Sequence, residues 1–302
     1  MSPGDRHKTS LGAFLKGQFS ARMGFGLRYS FAVGVVAYVF GFFVACGAQM
    51  YQVPLEDDHD KSKIAAEASD PNSPTFGLHS PRGFLKLPIT FKVGHQMNEQ
   101  QKAGLIAAMK TWEIAVGKQL FEFTGVHENT DGDSFPDLYS SLRDGINGNY
   151  LDADWKKTGK PEIVLATAIW NNSPRDSAAI DTADIRFNVE DYLVGDALVI
   201  KGVYEDSSGK FKDPVDMQTL SLHELGHLLG LTHVSSEADS VSIMNPYVYI
   251  GEGLTNRHLS AGDIERIQKI YGCLGEACDI DKAVDAVLEF TKSQKTATAD
   301  SK

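Results

Sequence analysis

The segment SLHELGHLLGLTH, residues 221–233, holds three of the chain's nine histidines. A glutamate follows the first histidine, a glycine lies between the second and the third, and leucines fill most other positions. A leucine-rich segment of this kind is expected to be buried, and burying imidazoles and a carboxylate without partners costs several kcal/mol. The segment therefore predicts a ligand that compensates these polar groups.

Helical geometry brings two of the histidines together. A helix over residues 217–229 places one row of leucines on its core side, at spacings of three and four residues. His223 and His227 are four residues apart, so both imidazoles project to the same place, one turn apart. Zn²⁺ binds imidazole nitrogens in such an arrangement, and Glu224 flanks the pair, where a carboxylate can bind water beside a metal.

The third histidine requires a bend in the chain. On a straight helix, residue 233 would lie about 15 Å beyond His223 along the axis. Gly230 is placed to end the helix, because glycine adopts positive φ without a steric penalty from Cβ. We therefore predict that Gly230 returns His233 to the other two imidazoles. Three histidine ligands with an open fourth position are typical of a catalytic zinc site.

A methionine follows the histidine segment at a short distance. Met244 lies eleven residues after His233 in SIMNPY (242–247), and Pro246 follows it by two positions. The extended pattern H-E-x-x-H-x-x-G-x-x-H with such a methionine resembles the metzincin zinc endopeptidases, and within them the matrixin (matrix-metalloproteinase-like) branch. LSAGDIERIQKIYG (259–272) resembles the matrixin C-terminal helix, and TADIRFN (182–188) resembles the strand ahead of the active-site helix.

The resemblance implies roles for five residues. His223, His227 and His233 would be the ligands of one catalytic zinc, and Glu224 would be the general base. Met244 would form a hydrophobic floor beneath the zinc without binding it. These roles describe a zinc metalloendopeptidase that hydrolyses extended protein or peptide substrates.

The resemblance also implies a fold and a substrate cleft. The fold would be α+β, of the metzincin-type zincin kind, over residues 84–273. It would have a twisted, mostly parallel sheet with an antiparallel edge strand, an active-site helix and a C-terminal helix. Asn245, Pro246 and Tyr247 would shape the pocket for the substrate residue after the cut. The edge strand containing LATAIW would pair with an extended peptide.

Two rival hypotheses remain open on the sequence alone. One is an inactive, zinc-stabilised surface module that holds a peptide in the same cleft. The other is an anchored structural protein whose histidine pattern is coincidental. Glu224 separates the first rival from a protease, because a site that only binds a metal does not need it. The second rival predicts no stoichiometric zinc in the purified protein, whereas a protease and a zinc-stabilised module both predict it.

The N-terminal region, residues 1–50, predicts export. It is basic and contains a run without charge over residues 31–50, long enough to cross a bilayer as a helix. The run also has the features of a signal sequence, and Val-Ala-Cys ending at Cys46 resembles the bacterial lipobox, although Phe43 stands where that pattern prefers leucine. Lipidation of Cys46 and a plain membrane anchor are both retained. In both, positive charge stays in the cytoplasm and the remaining chain faces the periplasm or cell surface. Cleavage without an anchor would give a secreted protein.

The segments around the catalytic region are expected to be simple. Residues 51–83 are acidic and rich in Pro and Gly, which predicts a flexible tether. Residues 274–302 predict a short helix followed by a disordered tail. Cys273 and Cys278 are spaced for a disulfide in an oxidising compartment, with two free thiols as the alternative.

Further expectations concern regular structure inside the catalytic region. Strands are predicted at 85–93, 162–170 and 183–188, with a hairpin over 196–206. A helix is predicted to open at Asn98 with a capping box.

Calcium is a secondary hypothesis. Residues 123–140 are predicted to form a loop in which Asp131, Asp133 and Asp137 have an oxygen-rich spacing. The later glutamate of a complete EF-hand loop is absent.

Composition restricts the partners. The chain has 302 residues and a formal net charge of −11, which argues against nucleic acid because such partners require a basic face. We expect a protein or peptide substrate, a membrane reached through the N-terminal region, and a monomeric protein.

Overall fold

A computed structural model of the chain describes residues 51–54, 67–127 and 135–300. The predicted anchor at 31–50, Cys46, Asp131 and Asp133 lie outside the described residues. Within the part that is described, no helix combines the length and the apolar character that crossing a membrane requires.

Twelve strands occur in the described residues. They are β1 (Tyr51–Pro54), β2 (Gly83–Phe84), β3 (Ile89–Gly94), β4 (Phe121–His127), β5 (Gly148–Asp152), β6 (Ala166–Ser173), β7 (Asp176–Asn188), β8 (Leu193–Gly195), β9 (Tyr204–Glu205), β10 (Phe211–Lys212), β11 (Pro214–Asp216) and β12 (Tyr247–Ile250). Six of them form the main sheet, in the order β2-β7-β5-β3-β4, with β6 also paired to β7. Every pair in this sheet is parallel except β6–β7. The predicted α+β fold, with a mostly parallel sheet and an antiparallel edge strand, is confirmed.

Four helices of eleven residues or more lie in the described part of the chain. They are α1 (Glu99–Val116), α2 (Met217–Leu228), α3 (Ala261–Tyr271) and α4 (Ile280–Asp300). The capping box predicted at Asn98 is present: its side chain accepts from the Gln101 amide, and the Gln101 side chain accepts from the Asn98 amide. Trp112 of α1 is fully buried and donates its indole N–H to the carbonyl of Leu222 in α2. The two helices are thereby joined at the centre of the core.

Several predicted strand boundaries are wrong. The strand expected at 85–93 begins at Ile89, because Pro88 has no N–H for a ladder hydrogen bond. The strand expected at 162–170 begins at Ala166, because the carbonyls of Glu162 and Val164 bond to the Asn188 side chain instead of a strand. The strand expected at 183–188 starts earlier, at Asp176, because β6 and β7 form one long hairpin.

One predicted hairpin and one predicted loop also differ from the structure. The hairpin expected over 196–206 lies further on, at β9 and β10, where Asp206 accepts from the Ser208 and Lys210 amides in the turn. Asp196 instead closes a turn by accepting from the Leu198 amide. The loop expected over 123–140 is a strand up to His127, because β4 pairs with β3.

The prediction of a tether over 51–83 is wrong at both of its ends. At one end, β1 pairs antiparallel with β12. At the other, Leu78 and Ser80 are buried, and the segment 77–84 runs against the end of α2 before β2 joins the sheet. Polar composition misled the prediction because backbone hydrogen bonds, which do not depend on side-chain type, hold this segment.

The C-terminal region is also more ordered than predicted. Helix α4 runs from Ile280 to Asp300, through the stretch expected to be disordered. Ala283 and Val287 are buried, and the Thr291 hydroxyl donates to the carbonyl of Arg257. The residues beyond are mostly good helix formers, so the helix continues once its first turns are packed.

One ion pair is fully buried in the sheet. The guanidinium of Arg186 on β7 pairs with Asp152 on β5, and both side chains have no exposed surface. A second nitrogen of the same guanidinium donates to the carbonyls of Asp137 and Leu138, 2.8 Å away in each case. Arg186 therefore joins two neighbouring strands to the loop that precedes them.

Replacing Arg186 tests this role. Arg186→Met leaves a buried carboxylate and two carbonyls without their donor, so we expect a loss of about 3–5 kcal/mol of unfolding free energy in urea denaturation. The matched control is Arg143→Met, because Arg143 forms an exposed pair with Asp137, worth about 1 kcal/mol or less. Equal effects of the two substitutions would contradict the assignment.

A second buried acid makes stability depend on pH. Asp184 on β7 accepts from the Gly148 amide at 2.7 Å, and burial raises the pKa of its carboxyl group to about 7. Between the unfolded and folded pKa values the folded chain holds a proton that the unfolded chain has lost. Stability therefore falls as pH rises through this window, by about 1.4 kcal/mol per pH unit at most.

Asp184→Asn removes this titration. We expect the unfolding free energy of the variant, relative to the unmodified chain, to increase from pH 5 to pH 7. Asp181→Asn on the same strand is the control, because Asp181 is exposed. A difference for Asp184→Asn that stays constant with pH would contradict this expectation.

Candidate metal centre

Helix α2 is fixed at its start by charge and capping. The Asp216 side chain accepts from the Thr219 amide at 2.9 Å, as an N-cap does. The buried Arg257 donates to the same carboxylate and also to Asp196. This network sets the position and rotation of a helix whose every residue is buried. The direction in which its histidines point is set accordingly.

Three imidazoles converge at the far end of α2. The Nε2 atom of His223 lies 3.0 Å from Nε2 of His227 and 3.3 Å from Nε2 of His233. His223 and His227 are buried, whereas His233 is partly exposed, so solvent reaches the group from one side. Within the described residues, this is the one group of three or more His, Cys, Asp or Glu side chains placed to hold a metal.

The tautomers of two histidines are set by neighbouring carbonyls. Nδ1 of His223 donates to the carbonyl of Ile243 at 2.7 Å, and Nδ1 of His227 donates to the carbonyl of Leu231 at 2.9 Å. With the proton on Nδ1, each Nε2 carries its lone pair toward the common point. Carbonyl partners of this kind orient histidine ligands in metal sites.

The donor set fits zinc. Three neutral imidazole nitrogens form a typical catalytic zinc site, and tetrahedral Zn–N bonds of about 2.0–2.1 Å place two ligand nitrogens about 3.3 Å apart. The two separations from Nε2 of His223, 3.0 and 3.3 Å, are close to that spacing. Lone pairs at such distances repel one another, and a bound cation removes the repulsion.

Burial keeps the imidazoles of His223 and His227 neutral. It lowers the pKa of His223 to about 3, with the neighbouring His233 acting in the same direction. Burial also lowers the pKa of His227 well below its usual value, with His223, His233 and His79 adding to the effect. Neutral rings at physiological pH are the form that binds a metal.

A tight turn at Gly230 brings the third histidine back. Gly230 has φ of +110°, and its N–H donates to the carbonyl of His227 at 2.9 Å. The Leu231 amide donates to the carbonyl of Gly226, also at 2.9 Å, which ends the helix. A Cβ atom on Gly230 would lie 2.5 Å from the carbonyl oxygen of Ser80. Both the backbone angle and the lack of space therefore require glycine.

Glu224 and Met244 lie at the same end of the structure. Glu224 is fully buried on α2, next to His223. Met244 is also fully buried and packs so closely on Gly226 of α2 that a Cβ atom there would lie 2.3 Å from its sulfur. The Met244 carbonyl accepts from the Val234 amide, one residue after His233. The methionine thus packs on the helix between its two histidines.

Asp263 holds the methionine turn, a role that sequence reasoning missed. It is the third residue of α3 and completes a capping box with Ser260. Its carboxylate also accepts from the Ser242 hydroxyl at 2.5 Å and from the Ile243 amide at 2.8 Å. Ile243 supplies the carbonyl that orients His223, so Asp263 acts on the site through this turn. A capping pattern in the sequence gives no sign of such a second partner.

The residues predicted to shape a substrate pocket lie beside the site. Asn245 and Tyr247 line a pocket of about 280 Å³, and Pro246 lies between them in the chain. Thr219, one helical turn before His223, lines the same pocket. The pocket therefore adjoins the metal-binding face of α2.

Other predicted sites lie apart from this centre. Cys273 and Cys278 form a disulfide after α3. Asp137, predicted as part of a calcium loop, pairs with Arg143 at 2.9 Å. Calcium binding stays a prediction.

Comparison with known families agrees with this geometry. The family model described as Matrixin matches residues 88–272, so this chain belongs to the matrixin family of metallopeptidases, within the metzincins. Over 58 residues it is 43% identical to the metalloendoproteinase 2-MMP of Arabidopsis thaliana, an overlap that covers 19% of this chain and 14% of that protein. The chain thus matches about a seventh of that relative's length. Membership of this family implies zinc, and the histidine triad is where the chain can hold it.

Gly230→Ala tests the turn. The added methyl group meets the Ser80 carbonyl and a φ that alanine rarely adopts, so we expect lower stability and at least tenfold weaker zinc binding in a chelator competition. Gly202→Ala is the control, because Gly202 also has positive φ, +67°, but has nothing within 4 Å of the new Cβ. It should lose about 1–2 kcal/mol of stability and keep its zinc affinity. Unchanged zinc affinity in Gly230→Ala would contradict the role of the turn.

Proposed function

We propose that this matrixin is a zinc endopeptidase that cleaves extended protein substrates outside the cytoplasm, with Glu224 as the general base. The observation that carries the proposal is the convergence of three imidazole Nε2 atoms, two of them with fixed tautomers, beside a buried glutamate. His223, His227 and His233 would hold the ion. A site that served only to bind zinc would have no use for a buried carboxylate at this position.

The residues of the chain divide the chemistry among them. Zn²⁺ bound at the triad supplies Lewis acidity, which makes water more acidic and stabilises charge on a carbonyl oxygen. Glu224 takes a proton from the attacking water and passes it to the nitrogen of the leaving amine. Since Glu224 is buried, it acts in a region of low dielectric, where its charge has a large effect. Met244 stays chemically inert and supports the helix beneath the histidines.

Strand β6 and the neighbouring pocket would bind the substrate. One edge of β6 pairs with β7, and the other edge has no strand partner among the described residues. An extended peptide can add to such an edge by main-chain hydrogen bonds. The substrate side chain that follows the scissile bond would enter the pocket lined by Asn245 and Tyr247, and Pro246 would shape the wall of that pocket.

The Cys273–Cys278 disulfide supports a location outside the cytoplasm, because disulfides persist in oxidising compartments. Anchoring through residues 31–50 or through a lipid on Cys46, and a bacterial origin, stay predictions from the sequence.

Glu224→Gln tests the base. We expect kcat/KM on a protein substrate to fall by about 10²–10⁴-fold, because the amide cannot accept the proton, with one zinc per chain retained. The measurements are a quantitative digest and metal analysis of the same sample. Glu265→Gln is the control, because Glu265 is exposed on α3.

A peptide-library digest with and without a zinc chelator completes the test. Cleavage that stops on chelation and returns with zinc supports the proposal. Cleavage by Glu224→Gln at the unmodified rate would remove Glu224 from the mechanism. Tight zinc and peptide binding without any cleavage would favour the inactive binding module.

A further inference from the structure

Residues 77–80, here called the strap, cross the turn that returns His233 to the metal centre. The amides of His79 and Ser80 both donate to the carbonyl of Gly230, at 2.9 and 3.1 Å. The Thr232 amide donates to the carbonyl of Gly77 at 2.9 Å, and Leu78 forms an antiparallel bridge with Leu231. The strap is therefore bonded to the turn on both sides of Gly230.

The His79 side chain adds a specific contact with a predicted zinc ligand. Its Nε2 lies 2.8 Å from the carbonyl oxygen of His227, and a carbonyl can only accept, so Nε2 carries the proton. Nδ1 is then the acceptor and receives the hydroxyl proton of the buried Ser80 at 2.9 Å. The carbonyls in the last turn of a helix have no partner within that helix. That of His227 accepts from the Gly230 amide and from the His79 ring.

The same ring is stacked on the edge strand. The imidazole of His79 lies on the indole of Trp170 with ring centroids 4.0 Å apart and an angle of 21° between the planes. Trp170 belongs to β6 and packs against the core. A single side chain thus contacts the strand proposed to bind substrate on one face and the end of the metal-binding helix at its rim.

We propose that His79 is a positioning residue of the metal centre, which fixes the His227–Gly230 turn relative to β6. This inference rests on zinc binding by the triad, as proposed above. The ring holds the turn by its Nε2–H bond, and the turn holds the imidazole of His233 beside the other two. Residues around metal ligands commonly change metal affinity or activity by about 10–100-fold when replaced.

Two substitutions separate the two contacts of the ring. His79→Phe keeps an aromatic ring on Trp170 but has no proton for the His227 carbonyl. His79→Gln loses the stack but supplies an N–H donor at a similar reach. If the hydrogen bond positions the turn, the phenylalanine variant is impaired and the glutamine variant recovers most of the loss.

The experiment uses the full-length, zinc-loaded chain. The rate of zinc release to an excess of a chromophoric chelator is measured, together with kcat and KM on one peptide and the thermal midpoint. For His79→Phe we expect about tenfold faster zinc release and a lower kcat with KM changed less than threefold. For His79→Gln the rate of zinc release and kcat should both stay within about threefold of the unmodified chain. Ser80→Ala removes the hydrogen-bond partner of His79 Nδ1 and should release zinc faster than the unmodified chain. This variant replaces His79→Phe in the test if the phenylalanine variant does not fold.

Leu78→Ala is the control for loss of packing alone. Leu78 is buried in the same strap but makes no side-chain hydrogen bond to the turn. It should lower the thermal midpoint without the tenfold change in zinc release. His79→Phe with a lower midpoint and an unchanged release rate would overturn the inference, and so would equal impairment of the phenylalanine and glutamine variants. An unmodified chain that holds no zinc would instead overturn the proposed function, and this inference with it.

Discussion

The structure depends on holding three imidazole nitrogens within 4.8 Å of one another in a largely buried place. The Nε2 lone pairs of His223 and His227 point at one another, because the proton on Nδ1 of each ring is donated to a backbone carbonyl on the opposite side. Such an arrangement is unfavourable by itself and becomes favourable when a cation occupies the centre. Without a cation, other parts of the structure must supply the energy that keeps the rings in place.

Those parts come from distant regions of the sequence. Asp263, at the start of the C-terminal helix, fixes the segment whose carbonyl orients His223. Tyr271, at the end of the same helix, donates its hydroxyl to the carbonyl of Leu229 and accepts from the Phe84 amide. The strap and α3 therefore both donate hydrogen bonds to carbonyls at the end of α2. The metal centre is the point at which three segments of the chain satisfy one another's backbone groups.

The N-terminal part of the domain shows how composition can mislead. Residues 67–83 have the polar, Pro- and Gly-containing sequence of a linker, yet Ala68 and Leu78 are buried and the Gly77 amide bonds back to the Ala68 carbonyl. Few apolar side chains are needed where backbone groups find partners on an existing turn. A linker and a strap of this kind have nearly the same composition, and they differ in what lies next to them.

The sequence by itself determined the local features: the helical spacing of His223 and His227, the glycine that ends the helix, the capping box at Asn98, and the family to which the motif belongs. Each of these depends on residues within about a dozen positions, where helix geometry and backbone preferences act directly. Only the tertiary structure decided the second role of Asp263 and the contacts of His79 with the His227 carbonyl and with Trp170. The Asp263–Ile243 contact joins residues 20 positions apart and the His79–His227 contact joins residues 148 positions apart. No local preference specifies which distant carbonyl or ring a side chain will meet.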